Sequence, residues 1–375
     1  MGSHESRRVE VNIPYSDLSS LHAPLKEELL ESVSRVLDSN DLVGGDESDL
    51  FEQRFAAMVG VAHGVSFSSG SDALELTLRA MGLQYGEEVI TVPNAPVATV
   101  GAIALAGGTP VFVDVGPDYN IDPSRIEDAL TLRTRAIIAT HLTGRPAPMD
   151  ELNALAAKRG LIVIEDAGQA LLARYRGRLA GALGTVAFFS LDQSNPLGAC
   201  GAGGIVTTGD SHLVERLRTL RGSGQIGGET AYWAGDRRLD AVQAAMLLVK
   251  LKWVATWTDR RRQNAVFYQE ALSGLEDLFV PRDRDWEDSA YQAFVVQTKR
   301  RDDLKAFLAG HGIGSDVPWC KPLHLQPVSS ILEYRVEDFP CAEAQSRETL
   351  GLPVGSGLAD EHRQRVVDNV RMFFT

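Results

Sequence analysis

The chain has 375 residues, 44% hydrophobic and 23% charged, with a formal net charge of −13. That is an ordinary globular balance, with room for two domains and a large core, and its acidity argues against a nucleic-acid partner. No run of about 18 apolar residues suggests a membrane span, polar Met1–Val9 lacks a signal-type apolar region, which points to a cytoplasmic protein, and Cys200, Cys320 and Cys341 are too scattered for a disulfide framework or a zinc site.

In chain order, the first predicted element is a helix over Leu25–Leu37, expected to pack on a smaller domain or on a partner subunit. Apolar runs then predict strands at Gly64–Ser68, Glu88–Val92, Pro110–Val115, Ala136–His141, Leu161–Asp166, Val186–Leu191 and Gly204–Thr208. Helical patterns fall between them at Asp72–Met81, Val97–Ala106, Ser124–Leu130 and Met149–Arg159. Continuous apolar strands alternating with helices indicate an α/β fold with a mostly parallel seven-stranded sheet buried on both faces. Helical patterns dominate Arg238–Leu275. Beyond them lie a strand at Tyr291–Thr298, a helix at Arg301–His311 and a last helix at Asp360–Phe374. The expected division is 1–255 for the N-terminal segment and large domain, and 256–375 for a smaller C-terminal α+β domain.

Two segments carry chemistry. Ser68-Ser69-Gly70-Ser71-Asp72 follows a strand and opens a helix, so small residues and free N–H groups form a cradle for a phosphate; a plain helix cap has the same pattern. Leu161-Ile162-Val163-Ile164-Glu165-Asp166-Ala167-Gly168-Gln169 ends a buried strand with carboxylates, and the end of such a strand borders the crevice where α/β proteins bind ligands. A helix cap at the strand end is the plainer reading of Asp166.

A third segment, Phe188-Phe189-Ser190-Leu191-Asp192-Gln193-Ser194-Asn195-Pro196-Leu197-Gly198, resembles the cofactor-lysine segment of the DegT/StrS family of sugar aminotransferases. Further matching stretches are Val43-Gly44-Gly45, Ser69–Leu74, Thr109–Val115, His141–Pro146, Asp166–Ala170, Arg238-Leu239-Asp240 with Gln243-Ala244-Ala245, and Pro322–Pro327. The resemblance covers nearly the whole chain. It implies a fold-type I transferase architecture that binds pyridoxal phosphate (PLP) or its amine form (PMP), and a homodimer with its active sites at the interface. It also implies a small-molecule substrate such as a nucleotide-linked keto-sugar or a cyclitol. By the same resemblance Asp166 pairs with the pyridine nitrogen, Gln169 faces the phenolic oxygen, and Ser69, Gly70, Ser71 and Ser190 belong to the cofactor site.

Four positions depart from that pattern. Asn195 stands where the family carries the imine-forming lysine, and an amide nitrogen is neither a nucleophile nor a base. Val97 replaces a ring-stacking aromatic. Asp236 replaces an asparagine that reaches the partner's phosphate, a repulsion that Arg237 offsets. Ala202 replaces a turn carboxylate. Of the seven lysines, only Lys321 lies in a segment expected near the substrate. His324, in the loop that faces the sugar in the family, is a candidate acid or base or a structural loop histidine, and Asp192 is a further acid/base candidate. His141 reads as a packing and hydrogen-bonding residue.

Three functional readings follow. The leading one is an enzyme of nucleotide-sugar or natural-product biosynthesis, repurposed for PLP-independent acid/base chemistry by Asp166, His324 and Asp192. The second is a PLP- or PMP-dependent sugar aminotransferase or dehydratase with altered cofactor handling. The third is a non-catalytic partner protein.

Overall fold

The computed structural model describes residues 12–375; the segment read at Met1–Val9 lies outside the described residues. One sheet holds β1 (His63–Phe67), β2 (Glu88–Thr91), β3 (Thr109–Phe112), β4 (Thr134–Thr140), β5 (Ile162–Asp166), β6 (Val186–Ser190) and β7 (Gly204–Thr208). Their spatial order is β1-β7-β6-β5-β4-β2-β3. β7 runs antiparallel to both neighbours, and the other pairings are parallel. All seven predicted strands are present, with ends moved by a few residues.

Both faces of the sheet are covered, which is why its strands are apolar throughout. Val65, Phe67, Ile138, Ile164, Phe188 and Val206 pack against Leu74 and Leu78 of helix Gly70–Ala80 and Leu213 and Leu217 of helix Ser211–Arg221. On the other face Ile90, Ile137 and Val163 meet Met149 and Leu152 of helix Met149–Arg159.

The predicted N-terminal helix spans Lys26–Ser39. Its buried face packs on helix Ala241–Leu251 through Leu29 against Val249 and Val36 against Ala245. It therefore rests chiefly on the large sheet's own layer, with Trp257 of helix Val254–Ala271 packed against the same cluster. Its outer face leaves Leu30 and Leu37 exposed.

The helical stretch Arg238–Leu275 divides into helices Ala241–Leu251 and Val254–Ala271. The second begins beside Phe189 and Leu191 at Val254 and ends in a separate core at Ala265 and Tyr268. A rigid helix, not a linker, thus joins the two cores. The C-terminal core is closed by an antiparallel pair, β8 (Phe294–Gln297) and β9 (Thr349–Leu352), and by helices Arg301–Gly310 and Asp360–Phe374. β8 starts later than predicted because Tyr291 turns the chain with φ 49°. Among the described residues no helix is long and apolar enough to cross a membrane, and no cluster of His, Cys, Asp and Glu could hold a metal ion.

Candidate active site

β1, β5 and β6 end on one side of the sheet, and a cavity of about 370 Å³ opens beyond them, where open α/β sheets bind ligands. β1 leads into helix Gly70–Ala80 through Ser69, whose Oγ caps the helix by accepting the Asp72 N–H at 3.0 Å. Glycine is required at position 70, because a Cβ there would lie 2.6 Å from the Ser190 Cβ. The helix start is thereby pressed onto the end of β6, and Ser69, Gly70, Ser71 and Ser190 border one cavity. The chain itself engages part of this cradle. Ser68 and Ser69 hydroxyls donate to Asp72 Oδ2 at 2.6 and 2.7 Å, and Arg237 pairs with the other carboxylate oxygen. The Ser71 side chain and the Gly70 and Ser71 N–H groups remain for an anion, since the Asp72 N–H is taken by the Ser69 cap.

β5 ends in two carboxylates that alternate across the pleat. Asp166 lines the cavity, is 5% exposed, and accepts the Thr99 hydroxyl on Oδ2 at 2.8 Å. Burial pushes its carboxyl up to about 6, with the Thr99 hydrogen bond pulling the other way. Glu165 is fully buried. It accepts the N–H groups of Gly181, Leu183 and Gly184 at 2.7, 2.6 and 2.7 Å. His141 Nδ1 accepts the Ala147 N–H at 2.9 Å, so its Nε2 carries the proton and donates to Glu165 at 2.9 Å. His141 is thus a structural link, as read. Gln169 lines the cavity with its Oε1 accepting the Thr143 N–H at 2.7 Å, which leaves its amide nitrogen as the remaining donor.

Asn195 lies in the turn after β6 and borders the cavity, but Nδ2 donates to Ser190 O at 2.8 Å, folding the side chain onto its own strand. Among the described residues no lysine lines this cavity. Asp192 also borders it, but is exposed. Its Oδ1 accepts the Ser194 N–H at 2.9 Å and hydroxyl at 2.6 Å, so it is a turn cap rather than a poised acid. Ala202 lies on the rim.

The other predicted residues lie elsewhere. Val97 is 68% exposed and off the lining, and Pro96, Ala98 and Thr99 form that wall instead. His324 is buried away from the cavity, with Nε2 3.2 Å from Glu343 Oε1 and its ring edge-on to Phe339. Burial holds its imidazole below the usual range, and Glu343 opposes that shift. It is a core histidine, the structural alternative already considered. Lys321 is exposed. Asp236 is off the lining and pairs with Arg238 at 2.6 Å, whereas Arg237 serves Asp72. Two residues escaped the sequence reading: Thr99, which holds Asp166, and Lys250. Lys250 is buried in the apolar run Leu247–Leu251 and donates to Gly198 O at 2.7 Å, behind the Asn195 turn. A lysine inside an apolar helical run was the available signal.

Comparison with known proteins bears on the whole of this fold. A family model described as the DegT/DnrJ/EryC1/StrS aminotransferase family matches residues 24–371. A pleiotropic regulatory protein of Geobacillus stearothermophilus is 39% identical over 368 residues, spanning 97% of this chain and 99% of the relative. The dTDP-3-amino-3,4,6-trideoxy-alpha-D-glucose transaminase of Streptomyces venezuelae is also 39% identical over 368 residues, with 98% and 97% covered. The solved structure of S. venezuelae DesV in complex with a ketimine intermediate has a TM-score of 0.94 at 39% identity, covering 96% of this chain and 98% of that one. The α/β fold with its mostly parallel seven-stranded sheet is the PLP-transferase fold of these structural neighbours. Similarity that runs from the first helix to the last, over one shared fold, means that the chain belongs to the DegT/DnrJ/EryC1/StrS aminotransferase family.

Proposed function

We propose that this member performs acid/base chemistry on a cyclic or sugar-like small molecule without a lysine imine, with Asp166 moving the proton. The observation that carries the reading is a buried Asp166 with a raised pKa in a cavity that no lysine lines among the described residues. Thr99 holds Oδ2, and the carboxyl borders the cavity where a bound molecule would exchange a proton with it. A pKa of about 6 suits that exchange near neutral pH. The S. venezuelae relative is named for a dTDP-linked sugar, which supports a sugar-like substrate class.

The residues fit the two ends of a PLP-type cofactor but not its covalent anchor. Asp166 would face the pyridine nitrogen, and Gly70 and Ser71 would meet the phosphate. When bound, such a group supplies an electron sink. The part of the cradle left at Gly70 and Ser71 favours a second reading, in which PMP is held without a covalent link. The direct experiment incubates the chain in D₂O with a dTDP-linked keto-sugar and no PLP. Deuterium uptake beside the carbonyl is expected, and uptake only after PMP is added would favour the second reading.

The ionisation itself is measurable without a substrate. An infrared difference titration is expected to show one carboxyl changing state near pH 6, absent in Asp166→Asn. A titration with no such carboxyl would remove Asp166 as a proton-transfer group at neutral pH.

We also propose a homodimer. Leu30 and Leu37 are exposed on helix Lys26–Ser39, and Leu42 follows it. Leu42 O accepts the Ala241 N–H at 3.0 Å, which places this apolar surface beside the Asp236–Arg238 segment. Asp236 is off the lining of its own chain's Asp166 cavity, so it reaches such a site only if it reaches the partner's. Light scattering at micromolar concentration is expected to give twice the 40.7 kDa chain mass; a monomer would sink the shared-site reading.

A further inference from the structure

Behind the Asn195 turn lies a second cavity of about 200 Å³. It is closed by the segment Asn12–His22, the turn Gln193–Ala199, helix Val254–Ala271 and the stretch 353–362. Ser194 and Asn195 border both cavities.

Arg261 lines this second cavity and is 8% exposed. Its Nε and Nη1 are buried with no hydrogen-bond partner, and among the described residues no carboxylate pairs with it. A buried charge is normally paired, because nothing else offsets the loss of water. Burial alone pulls its guanidinium pKa down to about 10.

The rest of the lining is also suited to an anion. Lys250 borders the cavity, and its charge adds to burial in holding His22 below the usual imidazole range. Leu358 and Ala359 bring in the start of the 15-residue helix Asp360–Phe374, which has no side-chain cap. The one acidic residue on the lining, Asp17, is committed to its own helix. Its Oδ1 accepts the Ser19 N–H and hydroxyl and the Ser20 N–H at 3.0, 2.6 and 3.1 Å.

We propose that this cavity binds a small oxyanion, the carboxylate or phosphate group of a small molecule, which pairs with the Arg261 fork and braces the Asn195 turn from behind. The planar guanidinium suits bidentate recognition of such a group. The proposal does not rest on the reading of the crevice.

The test is thermal melting of the full chain titrated separately with inorganic phosphate and acetate. The wild-type melting temperature is expected to rise to saturation with at least one of them. Arg261→Met is expected to melt higher than wild type in anion-free buffer, since an unpaired buried charge is gone, and to lose the anion response. Ser71→Asp places a carboxylate in the crevice cradle and is expected to keep the response. No response in wild type overturns the proposal. So does a response that survives Arg261→Met or vanishes in Ser71→Asp, because the anion then sits elsewhere. If Arg261→Met does not fold, Arg261→Lys keeps the charge without the fork and is expected to bind the anion about tenfold more weakly; equal binding overturns the proposal.

Discussion

Asp166→Asn is expected to slow proton transfer to a keto-sugar by about 10²–10⁴-fold, the usual contribution of a positioned acid or base, with little change in substrate affinity. The amide keeps an acceptor for the Thr99 hydroxyl at the site of Oδ2, so the packing around β5 survives. Stability moves the other way. The carboxyl is raised from 3.8 to about 6 in the fold, so its contribution to stability is fully present below about 4 and is lost as pH rises through about 6. Above that pH the wild type holds a buried charge that the variant lacks. Asp166→Asn should then melt no lower than wild type at pH 8 while being almost inactive. Full activity with and without added PLP would remove both catalytic readings and leave a non-catalytic partner protein.

Glu165→Gln should be the more damaging change for folding, although it touches no ligand. The carboxylate accepts three backbone N–H groups from the Gly181–Gly184 turn and the His141 ring. A glutamine offers one acceptor oxygen and turns an NH₂ toward groups that also donate. Orphaning buried donors around a fully buried site is expected to destabilise by about 3 kcal/mol or more. A urea titration should show the midpoint fall with an unchanged slope. A loss under about 1 kcal/mol would mean that the turn re-forms around other acceptors. Because Asp166 is the next residue on β5, the variant should also loosen the Asp166 carboxyl.

Much of the sheet was legible because burial on both faces leaves each strand a short apolar run. Helix Ser211–Arg221 was overlooked although Asp210 supplies its cap, accepting the His212 and Leu213 N–H groups. Helix Gly45–Val59 gave less warning. It opens from Gly44 and Gly45, both with positive φ, without a side-chain cap. That Ser69–Ser71 and Asp166 would border one cavity was legible because strand ends of a buried α/β sheet open on a common crevice. His324 and Val97 were misplaced for a physical reason. Position along a motif does not say which way a side chain turns, and a loop histidine beside Glu343 and Phe339 gains more from burial than from a cavity. The unpaired Arg261 was not legible, since only the fold shows that no carboxylate meets it.

The central claim is that this cavity works without a lysine imine. It is tested most directly by mixing the full chain with excess PLP, reducing with borohydride and mapping modified lysines by peptide mass spectrometry. Only scattered, substoichiometric modification of exposed lysines is expected, because among the described residues no lysine lines the cavity and Lys250 is tied to Gly198 O behind the Asn195 turn. One stoichiometric adduct, on Lys250, Lys321 or any other single lysine, would contradict the account.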